Sequence, residues 1–142
     1  MTQTMKSDFS AIAPDELNKR AEDLSESLTR VKHGQLRNVY AQVQRIRGLV
    51  RRHRPPEEVD RHLIFMKPRL AYACARDAGL RPLREQVNPM IDQVVGSSQR
   101  ALALENFFVF MEAIVAYHKF YTETASRDNR GRGQSGGRRS HG

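Results

Sequence analysis

Tryptophan is absent from this sequence of 142 residues, and its single cysteine is Cys74. One cysteine cannot form a disulfide within the chain, which excludes the class of small secreted proteins held together by disulfides. The first residues, MTQTMKSDFS, are polar rather than apolar, and no apolar run is long enough to cross a bilayer. These absences predict a reduced, soluble, cytoplasmic protein that has no membrane partner.

Strand signals are also missing, because no sustained alternation of apolar and polar residues occurs and neither Asn-Gly nor Asp-Gly is present. Hydrophobic residues make up 39% of the chain, so its core must be economical. They recur at helical spacing instead, in segments separated by proline, glycine or polar turns. The segments cover residues 13–28, 35–54, 57–79, 81–95 and 101–123. The length and the pattern predict an all-α protein with a single compact bundle of about five helices.

Three parts of the chain differ in composition. We predict a flexible lead-in over residues 1–13, a helical domain over residues 14–125 and a disordered Arg/Gly-rich tail over residues 126–142. Pro68 either kinks the third helix or begins a new segment. The last helix has the widest apolar arc and should be central, and its predicted core residues are Phe107, Phe108, Met111, Ile114 and Val115.

Positive charge is in excess, with 24 Lys and Arg against 16 Asp and Glu, and 19 of the cations are arginine. The arginine fork suits phosphate and can stack on bases, so a polyanion, nucleic acid first, is the predicted partner. The tail has five Arg and one Asp, which is half of the net charge of +8. Its composition fits either non-specific RNA binding or simple solubility.

Two stretches concentrate this charge on predicted helices. Gln35–Arg54 carries five arginines opposite its apolar side and no acid, although a merely soluble face would usually include acids. In the stretch Phe65–Arg76, residues Arg69, Tyr72 and Arg76 share one side of a helix, while Ala71, Cys74, Ala75 and Ala78 lie on the other. The strip could stack on a base and bind phosphates, or Tyr72 could pack at the core edge while both arginines pair with acids.

Catalytic and metal-binding patterns are not apparent. Cys74 lies among alanines, where a free cysteine behaves as a small hydrophobic residue rather than a nucleophile. No histidine pair has metal-ligand spacing, and GRGQSGG lacks the strand and helix that a dinucleotide-binding loop needs. The sequence predicts no cofactor and no enzyme activity.

Three ordered motifs resemble the small subunit of the type III-A CRISPR effector (Csm) complex. They are GQLRNVYAQVQRIR at residues 34–47, FMKPRLAYACAR at residues 65–76 and FFVFMEAIVAYHKFY at residues 107–121. The third motif is the most specific. The family commonly has Ser or Thr before the first glutamine, where this chain has Gly34, and the Arg/Gly tail is an extension outside the resemblance.

The resemblance implies a non-catalytic helical ribonucleoprotein subunit that acts in antiviral and anti-plasmid defence. Several copies would stack beside the backbone subunits and the large subunit, lining a channel that holds the crRNA–target RNA duplex. Contacts to the RNA backbone would be independent of sequence. A self-assembling helical scaffold and a generic nucleic-acid-binding module remain alternatives. The residues expected to contact RNA are Arg37, Arg45, Arg47, Arg51, Arg52, Lys67, Arg69, Tyr72 and Arg76.

Overall fold

Five α-helices joined by short turns form the described part of the chain, residues 9–141, and the predicted fold class and helix number are confirmed. The computed structural model describes the backbone of residues 9–141 and the side chains of residues 9–124, and no strand occurs within that part of the chain. The helices are α1 (Pro14–Glu26), α2 (His33–Arg51), α3 (Pro56–Arg76), α4 (Arg81–Val95) and α5 (Arg100–His141), with 3₁₀ turns at Phe9–Ala11 and Ala78–Leu80. The predicted disordered tail, residues 126–142, lies outside the described side chains.

The α5 helix is the centre of the bundle, packing against α1, α2 and α4. Of the predicted core residues, four are buried and Val115 is partly buried against the core. Residues Arg100–Thr124 are long and apolar enough for a membrane span, contrary to the expectation from sequence, although 44% of the apolar window is buried inside the bundle. Burial of this kind is what a central helix of a bundle requires, because its apolar side chains make the core.

The α3 helix continues through Pro68, so the alternative that a new segment begins there is wrong. Proline removes the N–H that would bond the carbonyl four residues earlier, at Ile64. Both Pro68 and Ile64 are exposed, so water can satisfy that carbonyl without a break in the helix.

The packed face of α3 also differs from the prediction. Ala71 and Ala75 are exposed, and the larger side chains of Val59, Leu63, Met66 and Leu70 are the ones buried.

The end of α2 comes three residues before the predicted Arg54, and it has a defined cap. His53 adopts a φ of 58°, the left-handed region that terminates helices. The His53 N–H donates to the Val50 carbonyl, and the Arg54 N–H donates to the Leu49 carbonyl, each at 3.0 Å. This pair of bonds reverses the chain before Pro55 and sets the turn that lays α3 beside α2.

Residues at the end of the predicted flexible lead-in belong to the core. Phe9 is 2% exposed, and the Asn106 side-chain amide donates to the Phe9 carbonyl at 3.0 Å. This short segment is therefore packed against α5. A single aromatic residue has no periodicity, so sequence patterns could not assign it to the core.

A histidine pair ties α5 to the start of α2. Buried His118 places Nε2 3.0 Å from the Leu28 carbonyl and 2.9 Å from the Val31 carbonyl, so Nε2 carries a hydrogen. Its Nδ1 lies 3.3 Å from Nδ1 of His33, and the two rings stack. Since Nε2 of His118 holds a ring hydrogen, its Nδ1 can accept the hydrogen of Nδ1 of His33.

Protonation of His33 should weaken the fold. Burial is the main cause that lowers the pKa of His33 below its usual 6.5, and the cations Arg37 and Lys119 add to it while Glu123 opposes it. At pH values between this lowered pKa and 6.5, the unfolded chain binds more protons than the folded chain, so the free energy of unfolding rises with pH. The contribution of His33 is complete above pH 6.5 and is lost as the pH falls toward the lowered pKa. We expect the urea concentration at the midpoint of unfolding to be lower at about pH 5.5 than at about pH 7.5.

The variant His33→Asn keeps a short donor but does not titrate, so it should flatten this pH dependence. His62→Asn, which changes an exposed histidine on α3, is the matched control and should keep the dependence of the parent. An equal slope in all three proteins would show that His33 does not couple protonation to folding.

Candidate nucleic-acid interface

A groove between α2 and α3 brings together three of the predicted contacts, all of them exposed. Arg69, Tyr72 and Arg76 line it from α3, and the groove has a volume of about 380 Å³. Tyr72 is 67% exposed, and the guanidinium carbon of Arg76 lies 5.9 Å from the centre of its ring. These three side chains therefore share one exposed strip of α3, and Tyr72 does not pack at the core edge.

The α2 side of this groove is polar without being acidic. Gln35, Asn38 and Gln42 line it at positions i, i+3 and i+7, above a floor that includes Val39 and Ala73. Within the described part of the chain, no carboxylate lines the groove or forms an ion pair with Arg69 or Arg76. The arginine side chains are therefore available to an anion.

Arg45 extends the same surface along α2. A smaller hollow of about 80 Å³ continues from the groove, and Gln42, Arg45, His62 and Arg69 line it with two apolar core residues. Gln42 and Arg69 belong to both hollows, so the basic surface is continuous from Arg76 to Arg45. His62 and Arg69 also line a third hollow, which includes Glu57 and Glu58, so acidic residues border the basic surface on this side.

Arg51 and Arg52 lie at the C-terminal end of α2, and both are exposed. Cations there compensate the negative end of the helix dipole, so the fold itself favours them at this position. Their neighbour Arg54 is engaged with Glu58, with Nε 2.9 Å from a carboxylate oxygen. The two exposed arginines form a second basic area at the end of α2.

Arg37 lies on the opposite side of α2 from the α2–α3 groove. It lines a separate hollow of about 590 Å³ between α2 and α5, together with His33, Tyr40 and Lys119. The sequence grouped Arg37 with the other arginines of α2, but the structure does not bring it to Arg69. The reason is that the arginines occupy a wide arc of the helix, and each edge of that arc faces a different neighbour.

Two predicted RNA contacts already have partners within the protein. Arg47 is 3.7 Å from Glu112, and its guanidinium carbon lies 5.7 Å from the centre of the Phe108 ring. Lys67 Nζ is 2.5 Å from an Asp92 carboxylate oxygen. Neither acid is near its cation in sequence, so these ion pairs could not be predicted from helix spacing. Contact with RNA would require both cations to exchange a carboxylate for a phosphate.

Phe65 and the three amide residues of α2 were not among the predicted contacts. Phe65 is 50% exposed on the same strip of α3 as Arg69, four residues away. Aromatic and arginine side chains therefore alternate along the strip, at residues 65, 69, 72 and 76. That spacing was a usable signal, but Phe65 looks like an ordinary core residue until the buried face of α3 is known.

Cys74 and the metal-ligating side chains were considered as possible reactive or metal-binding groups. Burial is the main cause that raises the pKa of the Cys74 thiol, with Arg84 and Arg81 opposing it, so at neutral pH the side chain is a thiol rather than a thiolate. It packs against the core as a small apolar group. Among the residues whose side chains are described, no group of three metal-ligating side chains occurs.

Comparison with known proteins gives one match, to a protein family. A family model described as Csm2 Type III-A matches residues 12–124, which include α1 to α4 and the described part of α5. No curated protein and no solved structure matches the chain.

Proposed function

The chain belongs to the Csm2 Type III-A family and is a small subunit of the type III-A CRISPR complex, and from this premise we propose how it acts. It lines the channel that holds the crRNA–target RNA duplex, without catalysing a reaction and without a cofactor. Its partners are the two RNAs, the backbone and large subunits of the complex, and further copies of itself. The complex would act in the cytoplasm in defence against viruses and plasmids. Cells that lack the chain should therefore lose interference against viruses and plasmids.

The observation that supports RNA contact is the exposed Arg69–Tyr72–Arg76 strip, which faces an open groove without an acid partner. Guide and target sequences vary, so a subunit that must accept all of them has to contact phosphate and sugar. Arginine suits this task because its planar fork binds phosphate through two hydrogen bonds. Arg45 extends the contact, and Arg51, Arg52 and Arg37 offer further charge on the same helix.

Purification of the chain from its own cells tests the proposal. Short RNAs of a few fixed lengths, sharing a repeat-derived 5′ end with varied spacers, should co-purify with the other subunits. Random RNA, DNA or no nucleic acid would contradict the proposed role. Binding should also weaken steeply with salt, because neutralised phosphates release counterions.

An exposed apolar stripe on α5 favours contact with further copies of the chain. Leu102, Val109 and Phe120 are 50%, 41% and 62% exposed along one side of α5, with the exposed Ala116 and the partly buried Ala113 between them. Their spacing is the alternation of three and four residues that lets two helices pack along a seam. Glu105 and Lys119 flank the two ends of the stripe on one side, so an antiparallel copy would pair them. This stripe is also the observation that supports the scaffold alternative.

Two sets of charge-introducing substitutions should separate RNA contact from assembly. Arg51→Glu with Arg52→Glu is expected to reduce RNA retention while the complex remains intact, because both side chains are exposed and lie away from the α5 stripe. Phe120→Glu is expected to reduce self-association, measured by sedimentation, while the helix content stays unchanged. Loss of assembly in the arginine variant would instead support a scaffold in which the arginines make only protein contacts.

A further inference from the structure

We propose that the α2–α3 groove is a nucleotide site, in which one unpaired RNA base stacks on Tyr72 while the phosphates on either side of it reach Arg69 and Arg76. This inference rests on the proposed RNA role and adds the class of ligand, a nucleotide whose base has left the helical stack. A contact to backbone phosphate alone would need the arginines but neither a recess nor an aromatic ring.

The shape of the groove supports an inserted planar group. Its volume of about 380 Å³ falls in the range of small-molecule sites, about 300–1,000 Å³. Val39 and Ala73 contribute to an apolar floor, and Tyr72 provides an exposed ring at the rim. Arg76 lies over that ring at 5.9 Å, and such a cation–π contact restrains the ring at the edge of the groove.

The polar groups of the groove fit the edge of a base. Gln35, Asn38 and Gln42 each carry a donor and an acceptor, so together they can bond the edge of any of the four bases. The Oε1 atom of Gln42 is buried and has no hydrogen-bond partner among the described residues. A buried acceptor without a partner is costly, and a base N–H entering the groove would satisfy it.

The two arginines of the groove are positioned to bind the phosphates of the nucleotide. Arg69 and Arg76 are seven residues apart on α3 with Tyr72 between them, so a base at the ring has a cation on each side along the strand. Bases inside an A-form duplex are covered by their neighbours and cannot enter a recess of this kind. The site therefore selects a single-stranded or displaced nucleotide over a continuous duplex.

Binding of the full chain to short RNA oligonucleotides tests this site. The probes are a single strand that contains 2-aminopurine, the same strand with stable abasic nucleotides, and a duplex of equal length. We expect quenching of the 2-aminopurine and tighter binding of the base-bearing strand. Tyr72→Ala should weaken that binding by about 5- to 140-fold, the range for loss of base–aromatic stacking, while Tyr72→Phe retains it. The abasic strand should bind the parent and Tyr72→Ala equally.

A matched control is Tyr117→Ala, which removes a tyrosine ring from α5, where its hydroxyl donates to Asn18 of α1 rather than facing the groove, and should leave RNA affinity unchanged. Equal affinity for base-bearing and abasic strands, or a preference for duplex without quenching, would overturn the nucleotide site. In that event the proposed RNA role still stands if Arg69→Glu with Arg76→Glu lowers binding. Failure of the full chain to bind any of the RNAs would overturn both proposals.

Discussion

Replacing both Arg69 and Arg76 with glutamate is expected to weaken RNA binding by about 100-fold or more at low salt. Each charge-assisted hydrogen bond to phosphate contributes about 1.5–3 kcal/mol, and the new carboxylates also repel the strand. Both side chains are exposed and form no ion pair in the described structure, so folding should be unaffected. Fluorescence anisotropy with labelled RNA gives the affinity, and circular dichroism checks the fold.

The control for this variant is Arg81→Glu with Arg84→Glu. It changes the net charge by the same amount at two exposed positions of α4 that do not line the α2–α3 groove. If only net charge matters, the two double variants will lose the same affinity, and the groove is not the interface. A large loss confined to Arg69 and Arg76, with a smaller salt dependence of the remaining binding, supports the groove.

Phe110→Ala is expected to destabilise the protein by about 3–5 kcal/mol, the usual cost of removing a fully buried phenylalanine ring. Phe110 is completely buried, and the guanidinium carbon of Arg20 lies 6.0 Å from its ring centre. The ring lies on the part of α5 that faces the bundle interior, where neighbouring helices cannot easily close the cavity. Urea unfolding followed by circular dichroism measures the change in the free energy of unfolding.

Phe120, on the same helix, provides the control for Phe110→Ala. Phe120→Ala removes an equal ring ten residues later, where the side chain is 62% exposed, and should change stability by about 0.5 kcal/mol or less. Similar losses in the two variants would contradict the assignment of the buried and exposed faces of α5. They would also remove the basis for an exposed apolar stripe on this helix.

Helical periodicity in this chain is strong enough to determine its architecture from the order of its residues. The 3.6-residue repeat of apolar side chains identifies the helices, and the width of the apolar arc identifies α5 as central, with Phe107, Met111 and Ile114 in the core. The exposed Arg69–Tyr72–Arg76 strip follows from the same geometry, because residues at i, i+3 and i+7 share one side of any helix. Local spacing is sufficient for these conclusions.

Which arginines are free for a ligand depends on contacts between residues far apart in the sequence. Arg47 with Glu112 and Lys67 with Asp92 are such pairs, and no local rule brings them together. The groove itself exists only because α3 lies beside α2, so Gln42 comes to line it through packing. Phe9 enters the core for the same reason, since a lone aromatic residue has no period and finds its place only when the helices have assembled.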